Sequence, residues 1–266
     1  MRTTPIDRFA ARFAEARTGG ESVVLDVDIE PIGRERFVDM LGRCQGEPHL
    51  DVIRGGVSER QVAPADAGDL IENLVREHAS LRVRRIHCVD ERLRDLAFAV
   101  HRALREEVNV NAYWSAPRAA MGLAPHADGH DIAVVQVAGK KRWTLFEREP
   151  RELTLEVGQA LFVPRGLRHL AQNPHDEPTL HLAVGVYAKT TRSVVEWLAS
   201  ELSSDVELLD EEGMDAALIS LRERVTCLLA DPAARDRFAA YREGVEHERM
   251  LMSPTEHARS DARRYR

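Results

Sequence analysis

Two short segments, Pro125-His126-Ala127-Asp128 and Pro164-Arg165-Gly166-Leu167-Arg168-His169, most strongly limit what this chain can fold into. Their three metal-ligand side chains act together only if the backbone returns one segment to the other. Two imidazoles and one carboxylate form the donor set that holds a redox-active Fe(II) on one face and leaves its other coordination positions open. The 43 positions from His126 to His169 leave room for several strands of a small barrel to bring the chain back. His-x-Asp alone is a common triplet, and the chain carries a control at Pro48-His49-Leu50-Asp51. Arg92, which is no ligand, stands 43 positions after His49, so the first triplet is expected to be a decoy. His130 leaves a second arrangement open, because His126, Asp128 and His130 project to one face of an extended strand. Against it, the two imidazoles would lie about 13 Å apart along the chain at ~3.3 Å per residue. His130 and Asp131 are instead expected at the barrel mouth, where either could meet substrate.

From Asp131 to Phe146 the sequence reads as two apolar, β-branched runs broken at Ala138-Gly139, the pattern of a strand, a tight turn and a second strand. Alternate residues share a face, so Lys141, Trp143 and Leu145 point one way and Lys140, Arg142 and Thr144 the other. Lys141 then lies on the apolar side, where an ammonium must find an anion or lose its proton. The anion could be a bound dicarboxylate; the alternative is a lysine that snorkels from the strand end into water. Further on, Gly158 and Pro164-Arg165-Gly166 set turns around a short strand, Ala160 to Val163, and the second turn delivers His169 to the barrel mouth. The frame from Gly158 through His169 to Asn173 is similar to the second sequence motif of the cupin barrels.

These motifs occur in order. Asn111-Ala112-Tyr113, Gly122-Leu123-Ala124-Pro125-His126-Ala127-Asp128 and Gln136-Val137-Ala138-Gly139-Lys140-Lys141-Arg142-Trp143 are followed by the His169 frame and by Thr179-Leu180-His181-Leu182-Ala183-Val184-Gly185-Val186. Together they resemble the Jumonji-C (JmjC) oxygenases, and within them the ribosomal oxygenase or "cupin 4" group, strongly over residues 108 to 187. The resemblance implies a mainly β core with α flanks, a double-stranded β-helix of jelly-roll type. It implies Fe(II) held by His126, Asp128 and His169, with 2-oxoglutarate as co-substrate and O2 as oxidant. Lys141 would hold the distal carboxylate of 2-oxoglutarate. Tyr113 would hydrogen-bond the co-substrate, although the loop from Ser115 to Met121 is about one residue longer than the family form. His181 stands at a family-typical position on a late strand, either as a structural histidine or in contact with substrate or co-substrate. No catalytic side chain beyond the metal and co-substrate ligands is implied, because the cofactor carries the difficult chemistry.

With 266 residues and 44% hydrophobic composition, the chain can build one sizeable core. Four regions are expected: residues 1–107 as an α/β buttress of the barrel, 108–189 as the catalytic core, 190–252 as a helical module able to form a dimer, and 253–266 as a flexible tail. In the buttress, Ile6 to Ala16, Asp66 to Arg76 and Glu91 to Leu104 read as helices, Ser22 to Ile29 as a strand, and Arg82 to Arg85 as a solvated strand or turn. In the helical module, Leu218, Leu221, Val225, Leu228 and Leu229 share a helix face. The winged-helix domain that follows such a module in the resembling family is not expected here.

A net charge of −7 argues against general nucleic-acid binding and is compatible with basic substrates. Cys44, Cys88 and Cys227 form no disulfide framework or zinc spacing. No charged-then-apolar leader and no apolar run of about 18 residues is apparent, so membrane spanning and secretion are not expected and a cytoplasmic location is. The expected function is Fe(II)- and 2-oxoglutarate-dependent hydroxylation of a protein or peptide side chain. The alternatives are the same chemistry on a small molecule, such as a free amino acid or natural-product intermediate, and a non-catalytic metal-binding cupin.

Overall fold

The computed structural model describes residues 3–44, 49–61, 66–119, 121–202, 211–252 and Glu256. Apart from Glu256, the tail expected over 253–266 lies outside them. The chain divides into two compact units, Met1–Tyr187 with Arg249–Arg266, and Ala188–Glu248.

The first unit contains helices α1 (Pro5–Gly19), α2 (Arg34–Gly42), α3 (Ala67–Arg76) and α4 (Glu91–Leu104). Its strands are β1 (Val23–Asp26), β2 (Leu50–Arg54), β3 (Val57–Gln61), β4 (Ser80–Val83), β5 (Glu107–Ser115), β6 (Asp131–Ala138), β7 (Lys141–Leu145), β8 (Arg151–Leu155), β9 (Gln159–Val163), β10 (His169–Gln172) and β11 (Thr179–Tyr187). Eight of them form one sheet in the order β1-β9-β6-β11-β5-β4-β2-β3, and three form a second in the order β10-β7-β8. From β5 onward the chain crosses repeatedly between the two sheets, which is the winding of a double-stranded β-helix. The expected β barrel with helical flanks is therefore present.

Period-2 alternation on the central strands separates two interiors. Val108, Val110, Ala112 and Trp114 of β5, with Leu180, Leu182, Val184 and Val186 of β11, pack outward into the core shared with the helices. Ile132 and Val134 of β6, Trp143 and Leu145 of β7, Leu155, Leu161 and Val163 form a second core between the sheets. A capping box of Thr4 with Asp7 and a proline in the first turn start α1, and Gly20 in the left-handed conformation ends it. Its buried face carries Phe9 and Phe13, and the Phe13 ring lies 5.7 Å from that of Phe162 on β9. Burying each such ring contributes roughly 1.5–3 kcal/mol.

The runs on either side of Gly139 are the two strands expected; β6 and β7 belong to different sheets, so the turn between them is a barrel corner. Gly139 has φ +60, and a Cβ there would stand 2.5 Å from the Pro178 carbonyl oxygen, so this corner needs glycine. One expectation is corrected: Arg82 to Arg85 are not a solvated strand or turn, since their arginines are engaged. Arg82 and Arg84 both grip the buried Asp51, at 2.7 and 2.6 Å. Buried Arg85 donates to the carbonyls of Arg249 and Met252.

The second unit comprises α5 (Thr191–Leu202), α6 (Glu211–Ala230) and most of α7 (Ala234–Leu251). Leu218, Ile219, Leu221 and Leu229 of α6 are all exposed. No described helix is long and apolar enough to cross a membrane.

Candidate metal centre

The segment from Gly122 to Asp128 runs antiparallel to β10 at the edge of the smaller sheet. Gly122 N–H donates to Ala171 O at 3.1 Å, and His126 and His169 exchange backbone hydrogen bonds of 3.2 and 2.8 Å. Gly166 N–H, in the Pro164-Arg165-Gly166 turn, donates to Asp128 O at 2.8 Å. His126 and His169 are thereby directly opposed across one bridge, with ring centroids 4.6 Å apart. His169 Nε2 stands 3.5 Å from Asp128 Oδ2, and one donor atom from each of the three residues lies within 4.8 Å of the others. Among the described residues this is the group of histidine, cysteine and acidic side chains placed to hold a metal ion.

The imidazoles are oriented for ligation. His126 Nδ1 lies 2.9 Å from Ala124 O and His169 Nδ1 lies 3.0 Å from Leu167 O. A carbonyl only accepts, so each Nδ1 carries the proton and each Nε2 keeps its lone pair. Burial lowers the His169 pKa, against the opposing pull of its bond to Leu167, and favours the neutral ring that a metal requires. A nitrogen, nitrogen, oxygen set with one open side fits Fe(II). Asn173 braces the loop before the first ligand: its Nδ2 donates to Ala116 O and Glu177 O, both at 2.8 Å, while Ala119 O accepts from its backbone N–H at 3.1 Å. Gly56, in the β2–β3 turn, supports the same loop by accepting from Ala124 N–H at 3.3 Å.

Deeper in the barrel, Lys141 is 2% exposed and Trp143 and Leu145 share its face. Lys141 donates to Ser115 Oγ at 2.6 Å, and Ser115 also accepts from Ser80 Oγ at 2.8 Å. Among the described residues no carboxylate pairs with Lys141, and burial alone brings its pKa down to about 7. The lysine does not snorkel into water; it is a buried amine with no carboxylate partner among the described residues.

Tyr113 and His181 stand opposite each other on β5 and β11, their rings stacked with centroids 5.0 Å apart. They belong to a cross-strand row running Asp51, Arg82, Tyr113, His181, Gln136 over five strands. Burial raises the Tyr113 pKa, opposed by Arg82 beside it. Four side chains of this interior carry a buried polar atom without a partner among the described residues: His181 Nδ1, Trp143 Nε1, Gln136 Oε1 and, further along β5, Asn109 Oδ1. Sequence reasoning missed Ser115, Gln136 and the Trp143 N–H, because only the closed barrel brings them beside Lys141 and His181.

The other sequence candidates separate cleanly. Buried His49 has its Nδ1 3.0 Å from Arg84 O, and Asp51 is held by Arg82 and Arg84, so this pair serves the β2–β4 packing. His130 does not join the trio; its ring stacks on Tyr187 at 4.3 Å and covers Gly185, where a Cβ would meet it at 2.8 Å. Asp131 was expected to be available at the mouth but is engaged, accepting from Arg17 Nε at 2.7 Å and from Arg165 N–H at 2.9 Å.

A jelly-roll barrel with two histidines and one carboxylate converging at its mouth defines the class of the protein. The JmjC domain family matches residues 89–154. Two relatives are bifunctional lysine-specific demethylase and histidyl-hydroxylase NO66 proteins. That of Dictyostelium discoideum is 31% identical over 130 residues, covering 41% of this chain and 25% of the relative. That of Drosophila simulans is 28% identical over 134 residues, covering 42% and 16%. The match thus spans a quarter or less of these relatives' length. Among solved structures, the ribosomal oxygenase YcfD from Escherichia coli in complex with cobalt and 2-oxoglutarate shares the fold. Its TM-score is 0.58 at 20% identity, over 84% of this chain and 67% of that one. The chain thus carries a segment similar to the JmjC domain and shares the fold of the ribosomal oxygenase YcfD.

Proposed function

We propose that this chain is a 2-oxoglutarate-dependent oxygenase that hydroxylates a side chain of a protein or peptide. One observation carries the reading: a buried ammonium without a carboxylate partner lies in the same barrel whose mouth presents a two-histidine, one-carboxylate trio. His126, Asp128 and His169 would hold Fe(II), and Lys141 would hold the distal carboxylate of 2-oxoglutarate. When bound, iron with 2-oxoglutarate and O2 supplies the oxidation that converts a substrate C–H to an alcohol, releasing succinate and CO2. The chain's own task is positional. The Ala124 and Leu167 carbonyls fix the two ligand tautomers, Asn173 steadies the loop that carries His126, and the Tyr113 and Trp143 rings wall the barrel interior. Tyr113 would add a hydroxyl on the co-substrate side.

A protein substrate is favoured by the matched relatives, whose names include histidyl-hydroxylase and lysine-specific demethylase. The helical second unit would form a homodimer through the exposed apolar residues of α6. Three free cysteines suit the reducing cytoplasm that an Fe(II) enzyme needs.

The test is O2-dependent conversion of 2-oxoglutarate to succinate with Fe(II) and cell extract. The wild type should turn over, His126→Ala should lose at least about a hundredfold, and His49→Ala should retain wild-type turnover. Equal losses in the two variants would refute the metal site.

A further inference from the structure

The inner barrel contains more hydrogen-bonding capacity than its protein partners use. His181 is 3% exposed, and its Nδ1 has no partner among the described residues. Trp143 Nε1 is likewise buried and alone, with the Trp143 ring edge-on to His181 at 5.3 Å. Lys141, with three N–H groups, has one hydrogen-bond partner among the described residues, Ser115 Oγ. Ser115 already accepts from Ser80 and Lys141, so its own proton is left to donate. The orphaned acceptors are Gln136 Oε1, whose amide nitrogen is engaged by Thr179 Oγ1 at 2.6 Å and Ala138 O at 2.7 Å, and Asn109 Oδ1, four residues before Tyr113 on β5. Leaving a buried polar group unsatisfied costs about 1–3 kcal/mol, so a cluster of such donors around one buried cation is improbable as packing alone. A ligand rich in acceptors would satisfy it.

His181 is placed between the two ends of this interior. It lies opposite Tyr113 with its ring edge-on to that of Trp143, and burial, with Lys141 and then His169 adding to it, holds its pKa well below the ordinary value. We propose that His181 is a second co-substrate-positioning residue, its Nδ1–H donating to the same distal carboxylate that Lys141 holds, so that the pair selects a 2-oxo dicarboxylate over a 2-oxo monocarboxylate. The inference rests on the co-substrate reading above. It assigns the histidine a donor role that its stacked, buried position alone would not require.

The test compares binding of 2-oxoglutarate with that of pyruvate, a 2-oxo acid lacking the distal carboxylate, by calorimetry on the Mn(II)-loaded full chain. His181→Phe, which keeps a planar ring but no donor, should weaken 2-oxoglutarate about tenfold or more and leave pyruvate and Mn(II) affinity unchanged, as loss of one charge-assisted hydrogen bond predicts. His181→Asn, whose amide can stand in for Nδ1–H, should stay within about threefold of wild type, whereas His181→Gln, whose amide lies nearer the Nε2 position, should not. The Asn and Gln pair decides the question if the Phe variant fails to fold. Unchanged 2-oxoglutarate affinity in His181→Phe, equal weakening of both acids, or equal behaviour of the Asn and Gln variants would overturn the role of His181 while leaving the co-substrate reading intact. Failure of the wild type to bind 2-oxoglutarate would overturn both.

Discussion

Burial acts on Lys141 without an opposing carboxylate, and that fixes how the pocket should respond to pH. From an ordinary value of 10.5 the group is brought down to about 7. Between those values the ligand-free folded state holds fewer protons than the unfolded chain, so this group's penalty to folding is full below about pH 7 and fades as pH rises towards 10.5. A bound carboxylate reverses the preference and favours the ammonium. Binding of 2-oxoglutarate at about pH 8 should therefore take up close to one proton, and affinity should fall as pH climbs above 7. Calorimetry in two buffers of different ionisation heat reads the uptake, which Lys141→Met should abolish. A buffer-independent heat in the wild type would contradict the role of Lys141. The orientation of this lysine was legible in sequence, since period-2 alternation put it with Trp143 and Leu145. Its hydroxyl partner was not, because Ser115 lies 26 residues away and meets Lys141 only across the closed barrel.

At the scale of elements, the ligand-bearing segments are held by loops more than by strands. Asn173 spans the Ala116, Ala119 and Glu177 backbone, and it appears in sequence only as the last position of a spacing motif. Asn173→Ala would leave Ala116 O with the Ala119 N–H alone and remove the side-chain donor from Glu177 O, a loss of about 1–3 kcal/mol in urea unfolding. A loss below about 0.5 kcal/mol would show that the loop does not depend on this brace. The β6–β7 corner shows why strand patterns leave topology open. Alternation identifies both strands, but whether they pair or part depends on which neighbours each finds, and β6 finds β9 and β11 while β7 finds β10 and β8. The β2–β3 hairpin around Gly55-Gly56 has a weaker signature, because Asp51 interrupts the apolar residues of β2 and β3 is polar and exposed.

For the whole molecule, the first unit forms one compact body from residues far apart in sequence, with Arg249 pairing with Glu107 at 2.7 Å and Met250 buried in the main core. The fold class was legible because the ordered motifs resemble those of a barrel family, whereas charge pairings such as Arg249 with Glu107 have no local signature. The second unit leaves Leu218, Ile219 and Leu221 exposed on α6. If that face makes the proposed dimer, light scattering should report a dimer for the wild type and a monomer for Leu218→Glu with Leu221→Glu; a monomeric wild type would exclude it.

The central claim is that His126, Asp128 and His169 hold iron beside a 2-oxoglutarate pocket. Its most direct measurement is the visible charge-transfer absorption of a 2-oxo acid chelated to Fe(II), recorded without oxygen on the full chain. The wild type and His49→Ala should develop it on adding 2-oxoglutarate, and Asp128→Ala should not. Absence of the band in the wild type, or its survival in Asp128→Ala, would contradict the assignment.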